Sequence, residues 1–210
     1  MMRIALIHAL RHSPAPIEAA FRALWPQPQL MNLLDDSLSA DLARAGCITE
    51  AMTARFLDLA RYATGTGACA ILFTCSAFGP CIDRVKEAHP DIPVLKPNEA
   101  MIEEAAAQGR RIGLLASFGP TLQSMPPEFP DGVELKLKLA EGALAALDAG
   151  DGAAHDRLVA NAAADLRDCD VVALAQFSLA RARDQVADRS GRPVLTTPDS
   201  AVRKLRALLQ

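Results

Sequence analysis

The sequence predicts an α/β fold made of two similar halves, and three observations carry this prediction. Short apolar runs alternate with amphipathic helical patterns, which is typical of parallel strands with helices on the sheet faces. Residues 3–7 resemble residues 111–115, and Pro-Val-Leu at 93–95 recurs at 193–195. We therefore expect two similar doubly wound parallel-sheet lobes, related by a pseudo-twofold axis, with the functional site between them.

Each expected element follows from a local pattern. Apolar runs bounded by polar residues predict the strands, and helical spacing or a proline after a polar residue predicts the helices. The strands are expected at 3–7, 30–34, 68–74, 93–95, 111–115, 170–175 and 193–195. Helices are expected at 49–62 and 154–166 and after 79–80, 97–98 and 197–198, with Thr197 as the cap of the last one. The domains are residues 1–95 and 96–210, and the last helix is expected to pack back on the first lobe.

Composition excludes several classes of protein. With 210 residues, of which 50% are hydrophobic and 22% charged, the chain is long enough for one large domain or two smaller lobes. A net charge of -3 without a basic cluster argues against a nucleic-acid surface. The opening apolar run is too short for a signal sequence and no run could span a bilayer, so we expect a cytoplasmic protein with a small-molecule partner.

The cysteine count argues against a metal or disulfide framework. The five cysteines are an odd number and lack paired C-x-x-C spacing, so neither a set of disulfides nor a zinc site is expected. We expect free thiols and no metal. Cys69 and Cys169 are interpreted as structural.

Cys75 is the most informative residue. It follows the apolar run 68–74 and precedes a polar turn, so it is expected at the carboxyl end of a buried parallel strand, the edge at which ligands bind in α/β sheets. Free cysteines are often only small buried hydrophobes. We favour a functional thiol because both the polar turn that follows Cys75 and the internal repeat single out this position. In the second half of the repeat, the position that corresponds to Cys75 is Gln176.

Other polar residues follow the same strand ends. Ser76, Ser117 and Thr121 offer hydroxyl and N–H groups that can hold a carboxylate or enolate oxygen, although turn and capping roles are equally common and a cap is favoured for Thr121. His8 ends the first strand; it either polarises a carbonyl, orients Cys75 or is simply hydrogen-bonded. Three aromatic residues beside the turns are expected either to line an apolar pocket or to belong to the core. They are Phe78, Phe118 and Phe177.

Four segments carry a family resemblance: the turns at 73–77 and 174–178, the helix start at 97–101 and the strand at 111–117. Together they resemble the aspartate/glutamate racemase superfamily, which also contains hydantoin racemases, arylmalonate decarboxylases and maleate isomerases. The resemblance covers essentially the whole chain. It implies a cofactor-independent racemase or isomerase with Cys75 as the catalytic residue and a small carboxylate or amino-acid-like substrate. The substrate-binding residues that it implies are Ser76, Ala77, Ser117, Thr121, Gln176, Phe177, Ser178 and His8.

Gln176 departs from the pattern of the racemases that the chain resembles. Those enzymes use one cysteine from each half, because a planar carbanion is inverted only when proton donors stand on both of its faces. A thiol with a pKa near 8.5 serves once the site lowers that value. A carboxamide has no proton to exchange, so Gln176 can bind an oxygen but cannot act as the second base.

Three explanations of this departure stay open. Ser178, His8 or a held water replaces the second thiol; only one face is protonated, as in decarboxylation; or the thiol attacks a double bond or carbonyl, as in the superfamily's isomerases. The decarboxylases keep their single thiol in the second half, unlike this chain. A decarboxylase of substituted malonates and a non-catalytic binder of a small acid are therefore retained as alternatives. The oligomeric state stays open, and a homodimer is the commonest assembly of soluble enzymes in general.

Overall fold

A computed structural model describes residues 2–210, which form two compact units. The first unit comprises the described chain up to Pro97 together with Ala201–Gln210, and the second comprises Asn98–Ser200. None of the described helices is both long and apolar enough to cross a membrane.

The first unit is a four-stranded parallel sheet with helices on its faces. The strand order is β2-β1-β3-β4. The strands are β1 (Arg3–His8), β2 (Gln29–Leu34), β3 (Ala70–Phe73) and β4 (Val94–Leu95). The helices are α1 (Pro14–Leu24), α2 (Ser37–Ala45), α3 (Glu50–Gly65) and α4 (Gly79–Ala88), and a 3₁₀ helix covers Ser76–Phe78.

The second unit repeats this arrangement, with parallel strands in the order β6-β5-β7-β8. The strands are β5 (Arg111–Ala116), β6 (Glu134–Leu139), β7 (Val171–Leu174) and β8 (Val194–Thr196). The helices are α5 (Glu99–Gln108), α6 (Gly119–Ser124), α7 (Ala143–Asp148), α8 (Gly152–Ala162) and α9 (Arg183–Ser190), with 3₁₀ helices at Pro126–Glu128, Ala163–Leu166 and Phe177–Ala182. The last helix, α10 (Thr197–Leu209), begins in this unit and continues into the first. The predicted α/β fold with two similar parallel-sheet lobes is confirmed.

The central strands are apolar because both of their faces are covered. Every residue of β3 and β7 is buried, as expected for parallel strands between two helix layers. The edge strands β2 and β6 are half-exposed. Strand β6, which reads Glu-Leu-Lys-Leu-Lys-Leu, was absent from the sequence-based expectations.

An aromatic cluster fills the core beneath the end of β3. The Phe56 ring of α3 lies 5.2 Å from the Phe73 ring and 5.0 Å from the Phe78 ring, measured between centroids. Phe78 is fully buried in this cluster. Of the two roles that the sequence left open for Phe78, the structure therefore supports the core role.

The cap of α10 lies one residue earlier than predicted. Thr197 is the first helical residue, and the hydroxyl that accepts the N–H of Asp199, at 3.2 Å, belongs to Thr196. The hydroxyl of Thr197 is buried and has no hydrogen-bond partner among the described residues. The strand thus delivers Thr196 to the capping position, and the prediction of Thr197 as the cap is wrong.

This pair of threonines allows a matched test of the cap. Thr196→Val is expected to lower the free energy of unfolding by about 1 kcal/mol, because it removes the acceptor that satisfies a first-turn N–H group. Thr197→Val removes a hydroxyl that bonds nothing, so stability should be unchanged or slightly higher. Urea titrations of both variants measure the difference. Equal losses in the two variants would contradict the assignment of the cap.

Candidate active site

Cys75 lies at the carboxyl edge of the first sheet. The N–H of Thr74 still bonds the carbonyl of Ile7, at 3.1 Å, and Cys75 follows in extended conformation just before the 3₁₀ helix. Cys75 is partly buried, and its side chain packs against the core cluster of the first unit. It is therefore not completely enclosed, unlike the buried Cys81 and Cys169.

The surroundings of Cys75 favour its neutral form. Burial raises the pKa of the Cys75 thiol above its ordinary value, because desolvation penalises the thiolate. A hydrogen bond from the backbone N–H of Ala77 to the sulfur acts in the opposite direction and is the smaller effect. The sequence led us to expect that the site lowers the pKa of Cys75; among the described residues, burial instead raises it. In this state Cys75 is a proton donor at neutral pH.

His8 is held from both sides of its ring. Its Nε2 lies 2.9 Å from Oδ1 of Asn32, and Nδ2 of Asn32 donates to Glu18 at 2.6 Å, which fixes the amide orientation. Nε2 therefore carries the proton, and Nδ1 accepts from the Thr74 hydroxyl at 2.8 Å. Burial lowers the pKa of His8, so the ring is neutral at pH 7. Both nitrogens are engaged within the unit, and the ring holds Thr74 beside Cys75.

Gln176 occupies the corresponding place in the second unit. It lies two residues beyond the last residue of β7, as Cys75 does beyond β3, and the two strands hold the same place in their sheets. The carboxamide Oε1 of Gln176 accepts from Ser117 twice, from its backbone N–H at 2.7 Å and from its hydroxyl at 3.1 Å. Since these donors engage the oxygen, the free end of the side chain is the Nε2 amide, which can only donate.

The remaining predicted residues are spread along the same edges. Thr121 is buried inside α6, whose capping position is taken by Phe118 without a side-chain hydrogen bond, so the capping role favoured for Thr121 is not observed. Phe177 is buried and Ser178 is half-exposed. In the first unit Ser76 is half-exposed and Ala77 exposed.

The other cysteines show no comparable setting, although all five thiols are free. Sγ of Cys69 donates to the carbonyl of Arg3 at 3.2 Å, and Cys81 is buried against the hydroxyl of Thr53. Cys169 is buried in the second core, and Cys47 is exposed. Across residues 2–210 no three His, Cys, Asp or Glu side chains are grouped so as to hold a metal ion.

Sequence reasoning missed the partners of His8. Asn32 and Thr74 are polar residues within apolar strand segments, which was the available signal. Their contact with His8 depends on the register in which β1 pairs with β2 and β3.

A sequence model of the family described as Asp/Glu/Hydantoin racemase matches residues 15–205. No curated protein sequence matches the chain significantly.

Several solved structures share the fold. An allantoin racemase from Klebsiella pneumoniae superposes with a TM-score of 0.74 at 19% identity, covering 100% of this chain and 88% of that one. A glutamate racemase from Bacillus anthracis gives 0.73 at 13% identity, covering 100% and 82%. An unliganded arylmalonate decarboxylase gives 0.68 at 18% identity, covering 99% and 92%. At these identities the likeness concerns the fold alone.

Proposed function

We propose a function for this chain on the basis of its family: it belongs to the Asp/Glu/Hydantoin racemase family. In this proposal it is a cofactor-independent isomerase that acts on a small carboxylate or amino-acid-like substrate. The catalytic residue is Cys75. The observation that supports the proposal is a partly buried cysteine at the carboxyl edge of a parallel sheet, with its sulfur bonded by the N–H of Ala77.

Cys75 serves as the acid/base that exchanges the α-proton of the substrate. A neutral thiol gives its proton to a carbanion, and the thiolate so formed removes a proton in the reverse direction. Ser76, the next residue, supplies a hydroxyl and an N–H group for a developing negative oxygen. Ala77, whose N–H bonds the sulfur, is a further substrate contact in this proposal. The hydrogen bond that Nδ1 of His8 accepts from the Thr74 hydroxyl keeps this strand end in place.

The Gln176 amide binds substrate oxygen in this proposal, and Ser117 orients that amide. Because the Gln176 oxygen is held by Ser117, its amide presents N–H donors, which suit a carboxylate or enolate oxygen. Thr121, Phe177 and Ser178 are further substrate contacts in this proposal. A carboxamide cannot transfer a proton, so racemisation by two thiols is not proposed for this chain.

Decarboxylation of a substituted malonate is the enzymatic alternative. One observation favours it: the pKa of the Cys75 thiol is raised, so a single protonated donor is ready to quench the carbanion that carbon dioxide leaves behind. A solved relative is named for decarboxylation of arylmalonates. A non-catalytic binder of a small acid is the alternative from another class, favoured by the locked Ser117–Gln176 contact.

Exchange of α-hydrogen with heavy water tests the proposal. Wild-type protein is incubated with both enantiomers of aspartate, glutamate and 5-methylhydantoin, and with phenylmalonate, and the products are followed by NMR. We expect exchange at the α-carbon of at least one amino acid or hydantoin above the uncatalysed rate. Loss of carbon dioxide from phenylmalonate alone would identify the decarboxylase. Binding without exchange or turnover would identify the non-catalytic binder.

A further inference from the structure

A chain of polar side chains links three neighbouring strands at the carboxyl edge of the first sheet. Oδ1 of Asn32, on β2, lies 2.9 Å from Nε2 of His8, on β1, and Nδ1 of His8 lies 2.8 Å from the hydroxyl of Thr74, which follows β3. Glu18 of α1 extends the chain by accepting from Nδ2 of Asn32 at 2.6 Å. His8 and Thr74 are buried, whereas Asn32 is exposed. The function proposed so far gives no role to Asn32 or Glu18.

These hydrogen bonds fit together in one direction. The carboxylate of Glu18 only accepts, so the Asn32 amide turns its oxygen toward His8 and requires a proton on Nε2. With the proton on Nδ1 instead, the lone pair of Nε2 would face the Asn32 oxygen. The Thr74 hydroxyl would then have to donate to the carbonyl of Ile7, which lies 3.4 Å away. Asn32 thus fixes the tautomer of His8, and that tautomer fixes the direction of the Thr74 hydroxyl.

The polar chain and the side chain of Cys75 lie on opposite faces of the sheet. Ile7 pairs in register with Phe73. Side chains alternate along a strand, so the residues that follow this pair, His8 and Thr74, share the other face. Cys75 packs against the core cluster that contains Ile7 and Phe73. The polar chain therefore acts on Cys75 through the backbone and not by touching the sulfur.

Thr74 is the residue through which this effect reaches the thiol. Its N–H bonds the carbonyl of Ile7 at 3.1 Å and its hydroxyl bonds His8, so two hydrogen bonds tie it to β1. Cys75 is the next residue, and its backbone starts from this doubly anchored point. A reacting group that is misplaced by 1 Å can lose about 100-fold in rate, so the anchoring of this strand end matters for proton transfer.

We propose that Asn32 is a positioning residue: through His8 and Thr74 it holds the strand end that carries the Cys75 thiol. Glu18 supports this role by orienting the Asn32 amide. The expected effect on turnover rests on the proposed function. The expected effects on the His8 tautomer and on the Thr74 backbone do not, and they are measurable without a substrate.

Asn32→Ala tests the proposal by NMR. In the wild-type protein, proton–nitrogen correlation spectra of the imidazole should show His8 with its proton on Nε2. In Asn32→Ala the share of the Nδ1–H tautomer should rise, and the amide proton of Thr74 should exchange with solvent about 10-fold faster, since one anchor of the strand end is weakened. Gln29→Ala is the matched control: Gln29 is exposed on the same strand, its side chain bonds that of Arg3, and both measurements should be unchanged.

Turnover gives the second readout. Asn32→Ala and Thr74→Val should lower kcat for α-hydrogen exchange about 10-fold with little change in KM, because they loosen the thiol and leave the substrate contacts in place. Thr74→Ser keeps the hydroxyl and should retain most of the wild-type kcat, which a merely space-filling role of Thr74 would not predict.

The possible outcomes separate this inference from the proposed function. A wild-type His8 with its proton on Nδ1, or unchanged Thr74 amide exchange in Asn32→Ala, would overturn the positioning role of Asn32. Wild-type kcat in both Asn32→Ala and Thr74→Val would overturn it as well. A wild-type protein that exchanges no substrate would instead refute the proposed function, and the two NMR measurements would still decide whether Asn32 holds the strand end.

Discussion

Cys75→Ala is expected to reduce α-hydrogen exchange by about 100-fold or more for each substrate enantiomer whose proton the thiol transfers, the usual contribution of a positioned acid/base. The substitution removes the proton carrier and leaves Ser76, Ser117 and Gln176 in place. Substrate affinity should therefore change little while kcat falls. Isothermal titration and NMR exchange measured on the same preparation separate the two effects.

Two controls make the Cys75→Ala result specific. Cys47→Ala removes an exposed thiol and Cys69→Ala removes one that only bonds the carbonyl of Arg3, so both variants should keep wild-type exchange. Because Cys75 is only half-buried, its truncation should cost little stability, and an unchanged melting curve would exclude unfolding as the cause. Wild-type exchange of both enantiomers in Cys75→Ala would remove the thiol from the mechanism.

Phe56→Ala is expected to have the largest effect on stability. Its ring is 2% exposed and contacts both Phe73 and Phe78 beneath the strand end that carries Cys75. Deleting a buried phenyl group costs about 3–5 kcal/mol through lost transfer free energy and the cavity left behind. For a chain of this size that corresponds to a fall in Tm of roughly 10 °C, measurable by calorimetry.

Tyr62→Ala is the matched control on the same helix. Its side chain is 60% exposed, so truncation should change the free energy of unfolding by no more than about 0.5 kcal/mol. Comparable losses in the two variants would mean that the aromatic cluster is not the source of stability in the first unit.

The sequence predicted the buried strands well and one exposed strand not at all. Strands β3 and β7 are covered on both faces, and such strands are continuous apolar runs that stand out in a sequence. Strand β6 lies at the edge of its sheet, and its Lys136 and Lys138 pair with acidic side chains in solvent. Its three leucines, separated by charged residues, give a weaker signal than a continuous apolar run.

The sequence predicted which residues lie at the strand ends, but it did not predict the contacts among their side chains. The internal repeat aligned Cys75 with Gln176, and both lie two residues beyond equivalent strands. The bonds of Ser117 to Gln176, and of His8 to Asn32, join residues far apart in the chain, and they depend on strand register and side-chain direction. The direction of the Cys75 pKa shift depends on burial by neighbours from other elements, which periodicity does not reveal.

The partial burial of Cys75 also affects how fast oxidants such as peroxide attack its thiol. Peroxide attacks the thiolate form of cysteine, and sulfenic acid formation follows thiolate content and access. A sulfhydryl kept neutral by desolvation reacts slowly with such oxidants while no substrate is bound. Burial disfavours the Cys75 thiolate in the substrate-free protein, and it thus protects from oxidation the sulfur atom on which turnover is proposed to depend.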